Sequence, residues 1–257
     1  MKKPEDIYIL VGCEESQAII LAFRKLGVKA FSCDLKKCSG GHPEWHIQCD
    51  VFKAIKGGHL TTESGDIIFI NKWDAGIFHP DCTYLTVSGL HWNGRIPGRT
   101  EKTEKALRFV CDLLNSKIPN MCIENPVGCI STRVFKSSLP KEDNLDEYLV
   151  LPFGVRPYAP MLKPSQIIQP YEFGDDASKK TCLWLKGFPL LKPTTRFYGR
   201  IVNGKERFSN QTDSGQNKLG PSDDRAELRS RTYVGIAEAI ATQWTNYLLN
   251  KTDLSLF

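Results

Sequence analysis

No apolar run in this 257-residue chain approaches the roughly 20 residues of a membrane span, so a soluble protein is expected. The opening residues Met1 to Asp6 hold no apolar stretch of secretory type. The nine cysteines, an odd number, are therefore read as reduced thiols in a cytoplasmic protein and not as a disulfide framework. The G-x-G-x-x-G pattern is missing, which disfavours NAD. Internal repeats and low-complexity tracts are missing too. A large net charge is also lacking: the formal value is +5.

What charge there is concentrates in one place. Residues 186 to 231 hold ten Lys/Arg against five Asp/Glu, and the remainder balances. A basic segment on a neutral body fits a surface that meets a polyanion, although a solvated loop with a surplus explains it equally well. At 41% hydrophobic and 25% charged, the chain is long enough for one sizeable core and a small appendage.

The order of elements reads as α/β. "IYILVGC" (7–13) is a strand ending in glycine, "EESQAIILAFRKLG" a helix stopped by Gly27, and "VKAFSCDL" (28–35) a second strand, so the sheet opens β-α-β and parallel. "HIQCDV" (46–51), "DIIFI" (66–70) and "AGIF" (75–78) are further strands. "TEKTEKALRFVCDLLNS" is a helix with Leu107, Val110, Leu113 and Leu114 on one side, and it leads into the strand "NMCIENP". Nine prolines between 140 and 221 mark 140–225 as a small irregular or β-rich insertion. A last helix over 235–250 repeats Ile236, Ile240, Trp244 and Leu248 and is expected to pack back on the domain made of 1–139 and 226–257.

In a doubly wound sheet, ligands lie outside the carboxyl ends of the strands. Those ends carry Gly12, Cys13 and Glu14, then Asp34, Asp50, Pro80 to Cys82, and Glu124 to Pro126. Gly12 permits close approach of backbone to a ligand, and Asp34 stands where a carboxylate receives ribose hydroxyls, so the pair fits a nucleoside cofactor; it equally fits a turn and a surface acid. Cys82 and Glu124 can converge on one ring. Carbon 5 of cytosine is poorly nucleophilic until a thiolate adds at carbon 6, and a protonated carboxyl at ring nitrogen 3 favours that addition. Such a Glu must be kept partly neutral by desolvation. The plain alternatives are a small buried thiol and a helix-capping acid. Cys38, His42, His46 and Cys49 raise a competing zinc reading, but their C-x3-H-x3-H-x2-C spacing is not that of paired ligands, and no metal is expected.

These segments resemble DNA cytosine carbon-5 methyltransferases. "HPDCTYLTVSG" is similar to their Pro-Pro-Cys motif, "CIENPVG" to their Glu-Asn-Val motif, and "LVGCEESQAIILAFRKLGVKAFSCDL" to their S-adenosylmethionine turn and ribose-binding acid. "GGHPEWHIQCDV", "SQIIQPYEFG", "KKTCLWLKGFP" and "DRAELRSRTYVGIAEAIATQW" extend the likeness to a compact subgroup common in phages and prophages. The resemblance implies a Rossmann-like S-adenosylmethionine-dependent methyltransferase fold, with Cys82 as nucleophile, Glu124 at ring nitrogen 3, and Pro80, Thr83 and Asn125 beside them. It implies a cofactor pocket from Gly12, Cys13, Glu14, Ser16, Asp34, Leu35, Asp50 and Val51. It further implies a target-recognition region within 140–225 and a loop from Thr83 to Arg99 that closes over a cytosine flipped out of DNA. Lys180, Arg229, Arg231 and Ser88 are candidates for contacts to base or phosphate, and a monomer or weak dimer is expected. Departures stand out: Pro-Asp-Cys replaces Pro-Pro-Cys, Thr83 replaces Gln, and Cys-Glu-Glu-Ser replaces the glycine-rich turn.

Overall fold

In the computed structural model, residues 2–131, 163–220 and 231–251 are described. Strand β1 (Tyr8–Gly12) feeds helix α1 (Ala18–Lys25), and the chain returns as β2 (Lys29–Asp34). A loop then leads to β3 (His46–Gln48) and α2 (Val51–Lys56), a hairpin of β4 (Gly58–Thr61) and β5 (Ile67–Ile70), and β6 (Ala75–Phe78). After the short α3 (Val87–Leu90) come α4 (Arg99–Leu114) and β7 (Asn120–Pro126). Strands β8 (Gln166–Ile168), β9 (Thr181–Lys186), β10 (Arg200–Val202) and β11 (Lys205–Arg207) precede the last helix, α5 (Val234–Lys251).

The central sheet has the order β3-β2-β1-β6-β7-β9-β8. Its first five strands run parallel. Strand β9 is antiparallel to both β7 and β8, so β8 runs with the rest. This is the 3-2-1-4-5-6 order of a Rossmann-like doubly wound sheet with one reversed strand inserted before the last. The expected fold class stands: α/β, mostly parallel, with helices on both faces.

Each face buries its own core because successive residues of a strand point to opposite sides. Ile9 and Val11 of β1 pack with Ile19, Ile20 and Phe23 of α1 and with Ile236, Ile240, Trp244 and Leu248 of α5. Leu10 points the other way, among Leu107, Val110, Leu113 and Leu114 of α4. All eight positions expected to form the stripes of the two long helices are buried.

Three boundaries differ from the sequence reading. Residues 166–186, inside the stretch assigned to the insertion, supply β8 and β9 of the central sheet, so over its described part that stretch is not a separate unit. The irregular segment 187–199 and the β10–β11 hairpin remain as its small β-rich part. Residues 66–70 pair only with β4, off the main sheet. The third strand stops at Gln48, and Asp50 caps α2 by accepting from the Phe52 N–H at 2.9 Å.

Candidate active site

A cavity of about 700 Å³ opens at the carboxyl ends of β1, β2, β3 and β6, where the strand order reverses. Of the expected cofactor residues, Cys13, Glu14, Ser16, Asp34, Leu35, Asp50 and Val51 line it. Pro80, Thr83 and Arg231 also reach it, together with Lys36, Lys102 and Phe109. Leu35, 72% exposed, sits at its mouth. Gly12 does not line it, and its role is packing: a Cβ there would meet the Phe78 ring and the Val51 side chain at 2.6 Å.

Cysteine at position 13 adopts φ 59°, the left-handed region where glycine is at ease. Burial first, then the charges of Asp34, Asp50 and Asp81, push its thiol up to about 12, so it is no nucleophile. Glu14 follows, 7% exposed. Its Oε1 receives the Ser16 hydroxyl and, at 3.1 Å, the Ala18 N–H at the head of α1. Its Oε2 is buried with no partner. Burial raises its pKa against the pull of the Ser16 hydroxyl. The Glu15 carboxylate is taken by the Ser39 hydroxyl, and Asp34 accepts from the Lys36 N–H at 2.9 Å.

Cys82 is half-buried, and none of the nine cysteines is in a disulfide. Its carbonyl receives the Leu85 and Thr86 N–H groups, each at 3.0 Å, which folds the chain into a tight turn. Two ties bind this turn to the Glu124 strand and the segment that follows it. Before Cys82, buried Asn125 donates its Nδ2 to the Pro80 carbonyl at 2.8 Å. After it, the Cys129 N–H donates to the Leu85 carbonyl at 2.8 Å, beside an antiparallel bridge between Thr86 and Gly128. Gly128 is required there, since a Cβ would lie 2.0 Å from the Leu85 oxygen. Asp81, the departure nearest the thiol, turns its Oδ1 to the Thr83 N–H at 2.8 Å and hydroxyl at 2.6 Å.

Glu124 lies one residue beyond the Phe78–Ile123 pair of the β6–β7 ladder. Its carboxylate faces His79 Nδ1 at 3.2 Å, and both side chains are largely buried, Glu124 16% and His79 11% exposed. Burial works to raise the Glu124 pKa, but the hydrogen bond with His79 and the charge of Lys179 prevail, the nearby Thr181 hydroxyl assisting, and hold it below the usual carboxylate value. Desolvation therefore does not keep this carboxyl neutral, contrary to the sequence expectation. His79 Nε2 is buried and has no partner. Neither Cys82 nor Glu124 lines the large cavity; Pro80, Asp81, Thr83 and Tyr84, on both sides of the thiol, do.

His79, Thr181 and Lys179 were missed in the sequence. His79 had a signal: it is the first residue past "AGIF", in step with the acid that follows the neighbouring strand. Lys180 is exposed, and it is Lys179 whose charge acts on Glu124. Ser88 is exposed on α3, and Arg229 lies outside the described residues.

The basic segment is partly committed inside the fold. Arg196 pairs with Glu206 at 2.6 Å, Arg200 with Asp213 at 2.9 Å, and Lys186 donates to the Ser116 carbonyl at 2.7 Å. The zinc reading finds no support: His46 is buried with Nε2 on the Lys36 carbonyl and Nδ1 on the Ser32 hydroxyl, each at 2.8 Å, and His42 Nδ1 faces Glu44. Among the described residues no metal-ligating group assembles, and no helix is long and apolar enough to cross a membrane.

No family model matches the chain, and no curated protein does. Among solved structures it is similar to the Entamoeba histolytica methyltransferase EhMeth, with 13% identity and a TM-score of 0.38 over 79% of this chain and 62% of that one. The chain thus spans less than two thirds of that protein's length.

Proposed function

We propose that this protein transfers a methyl group from S-adenosylmethionine to carbon 5 of cytosine in DNA, through a covalent adduct of Cys82 with carbon 6. The observation that carries this reading is the pair of ties, from Asn125 in the Glu124 strand to Pro80 and from Cys129 just past that strand to Leu85, which fixes the Cys82 turn against the chain that carries Glu124. A merely buried thiol needs no such bracket.

The cavity at the sheet's switch point fits the methyl donor. Glu14 Oε2, buried without a partner, suits an ammonium group, Asp34 suits ribose hydroxyls, and exposed Leu35 offers an apolar face to a flat base. When bound, that donor supplies an electrophilic methyl group. The protein's own residues do the rest. Cys82 sulfur bonds to carbon 6 while ring nitrogen 3 takes a proton that the Glu124 carboxyl acquires as the base enters, and carbon 5 is left nucleophilic. Once carbon 5 carries the methyl group, a water molecule takes the carbon 5 proton, the carbon 5–carbon 6 double bond re-forms as the carbon 6–sulfur bond breaks, and the nitrogen 3 proton returns to Glu124, which restores the ring and frees the Cys82 thiolate. Lys102 and Arg231 at the cavity would meet the backbone phosphates of DNA whose cytosine is flipped out.

The test is methyl transfer from labelled S-adenosylmethionine to DNA and, in parallel, to RNA, followed by nucleoside analysis. Label in 5-methyldeoxycytidine that disappears in Cys82→Ala supports the reading. Label on an exocyclic amine, or in RNA alone, overturns it. DNA binding without transfer assigns the protein as a binding module.

A further inference from the structure

We propose that Cys33 and Cys49 form a peroxide-oxidisable dithiol in the cavity wall, and that their disulfide closes the space between Asp34 and Asp50. The strands bring them together. In the parallel β2–β3 ladder Cys33 lies opposite Ile47, and the chain turns immediately after Gln48, with the Cys49 N–H on the Ile47 carbonyl at 3.0 Å. That turn brings Cys49 back over Cys33. Their sulfurs are 3.9 Å apart, and Cys33 Sγ is 3.4 Å from the Cys49 carbonyl. Both residues line the 700 Å³ cavity, and Cys49, which is only partly buried, is the one a small oxidant reaches from it, with Cys33 buried behind.

Their environments divide the roles. The Cys49 thiol is drawn down by its sulfur neighbour Cys33, burial opposing and the charge of Lys53 assisting, and its Sγ lies 3.2 Å from the Asp50 carbonyl. The same sulfur contact, with burial, pushes Cys33 up. Burial pushes Cys13, Cys111, Cys122 and Cys182 up as well. Cys33 is fully buried and Cys49 is partly exposed, so Cys49 is the thiol an oxidant meets first and Cys33 the resolving thiol.

The chemistry balances in two steps. Cys49 sulfur attacks one oxygen of hydrogen peroxide; the O–O bond breaks, the sulfur becomes a sulfenic acid, and the departing hydroxide takes a proton to leave as water. Cys33 sulfur then attacks Cys49 sulfur; the S–O bond breaks, and the hydroxyl leaves as a second water with the Cys33 proton. Two electrons pass from the two thiols to the peroxide. Closing from 3.9 Å to the roughly 2.05 Å of a disulfide draws Cys49 toward β2, and with it Asp50, the cap of α2. The loss of methyl-donor binding expected from this rests on the function proposed above; the disulfide does not.

The test uses the whole protein, reduced, desalted, and exposed to graded hydrogen peroxide before alkylation, tryptic digestion and mass spectrometry. The expected product links peptide 30–36 to peptide 38–53 with loss of two hydrogens. It persists in Cys38→Ser and Cys82→Ser and is absent in Cys49→Ser and Cys49→Ala. No such link, or a link that uses Cys38, overturns the proposal. Equilibrium dialysis with labelled S-adenosylmethionine follows: binding should fall at least tenfold on oxidation and return with dithiothreitol. Unchanged binding in linked protein overturns the closure. A link in protein that binds no S-adenosylmethionine even when reduced upholds the dithiol and sinks the methyltransferase reading instead.

Discussion

Replacing Asn125 tests the tie that brings Cys82 to the Glu124 strand. The side chain is 1% exposed, and its Nδ2 is the donor on the Pro80 carbonyl at 2.8 Å. Stripping a buried acceptor of its donor costs about 1–3 kcal/mol. Asn125 Oδ1 is itself buried without a partner, so Asn125→Ala also removes one unsatisfied group and should fall near the low end, about 1 kcal/mol. Asn125→Asp keeps the shape but aims a buried carboxylate at the carbonyl, and about 3 kcal/mol is expected. With a urea slope of about 2–3 kcal/mol per molar, the midpoint should drop by about 0.4 M for alanine and about 1 M for aspartate. Catalysis should suffer more than stability in the alanine variant, because a displacement of about 1 Å at a reacting group can cost about 100-fold in rate. The paired assay is urea unfolding beside labelled methyl transfer at a temperature where both proteins are folded. An alanine variant that transfers methyl at the wild-type rate would refute the positioning role of this hydrogen bond.

Gly128→Ala should break the bridge to Thr86, since the new Cβ would lie 2.0 Å from the Leu85 oxygen. A loss of about 1–3 kcal/mol is expected, read as a lower melting temperature with transfer reduced further than folding explains. Glu14→Gln should raise the urea midpoint at pH 7 while weakening binding of the methyl donor. The Glu14 pKa is raised by burial, so its stabilising contribution is full below the unfolded value of about 4.3 and is lost as pH rises through the folded value. Removing the carboxyl should flatten stability above about pH 4.3; a less stable variant at pH 7 contradicts this. Glu124 has the opposite sign. Its lowered pKa gives stability that is present above about pH 4.3 and lost as pH falls through the folded value, so Glu124→Gln should be less stable at neutral pH and show a shallower acid limb. An acid limb identical to the wild type would contradict the His79 and Lys179 contacts.

Much of the sheet was legible because its strands are short apolar runs with clear stops: β7 falls on "NMCIENP", and the stripe of α5 on the four residues its spacing named. The β8–β9 pair was not legible. "TCLWLK" looks like any buried strand, but its partners, Glu124 on one side and Ile167 on the other, are chosen by tertiary packing and not by neighbours in sequence. A doubly wound topology brings the strand ends to one edge, which is why Cys13, Asp34 and Asp50 line one cavity, while Cys82 and Glu124 do not line it. What sequence cannot carry is the direction of a side chain. Burial alone would leave Glu124 neutral; His79, Thr181 and Lys179, distant in sequence, reverse that sign. Gly12 likewise reads as a ligand-approach glycine until Phe78 and Val51 are seen against it.

The decisive measurement is covalent capture. Purified protein is incubated with S-adenosylmethionine and duplex DNA containing 5-fluorocytosine, from which the carbon 5 substituent cannot leave, and the product is analysed by denaturing electrophoresis and peptide mass spectrometry. A protein–DNA adduct that requires the methyl donor, maps to Cys82 and is absent in Cys82→Ala is the predicted result. DNA binding by wild type with no adduct, or an adduct at any other cysteine, would contradict it.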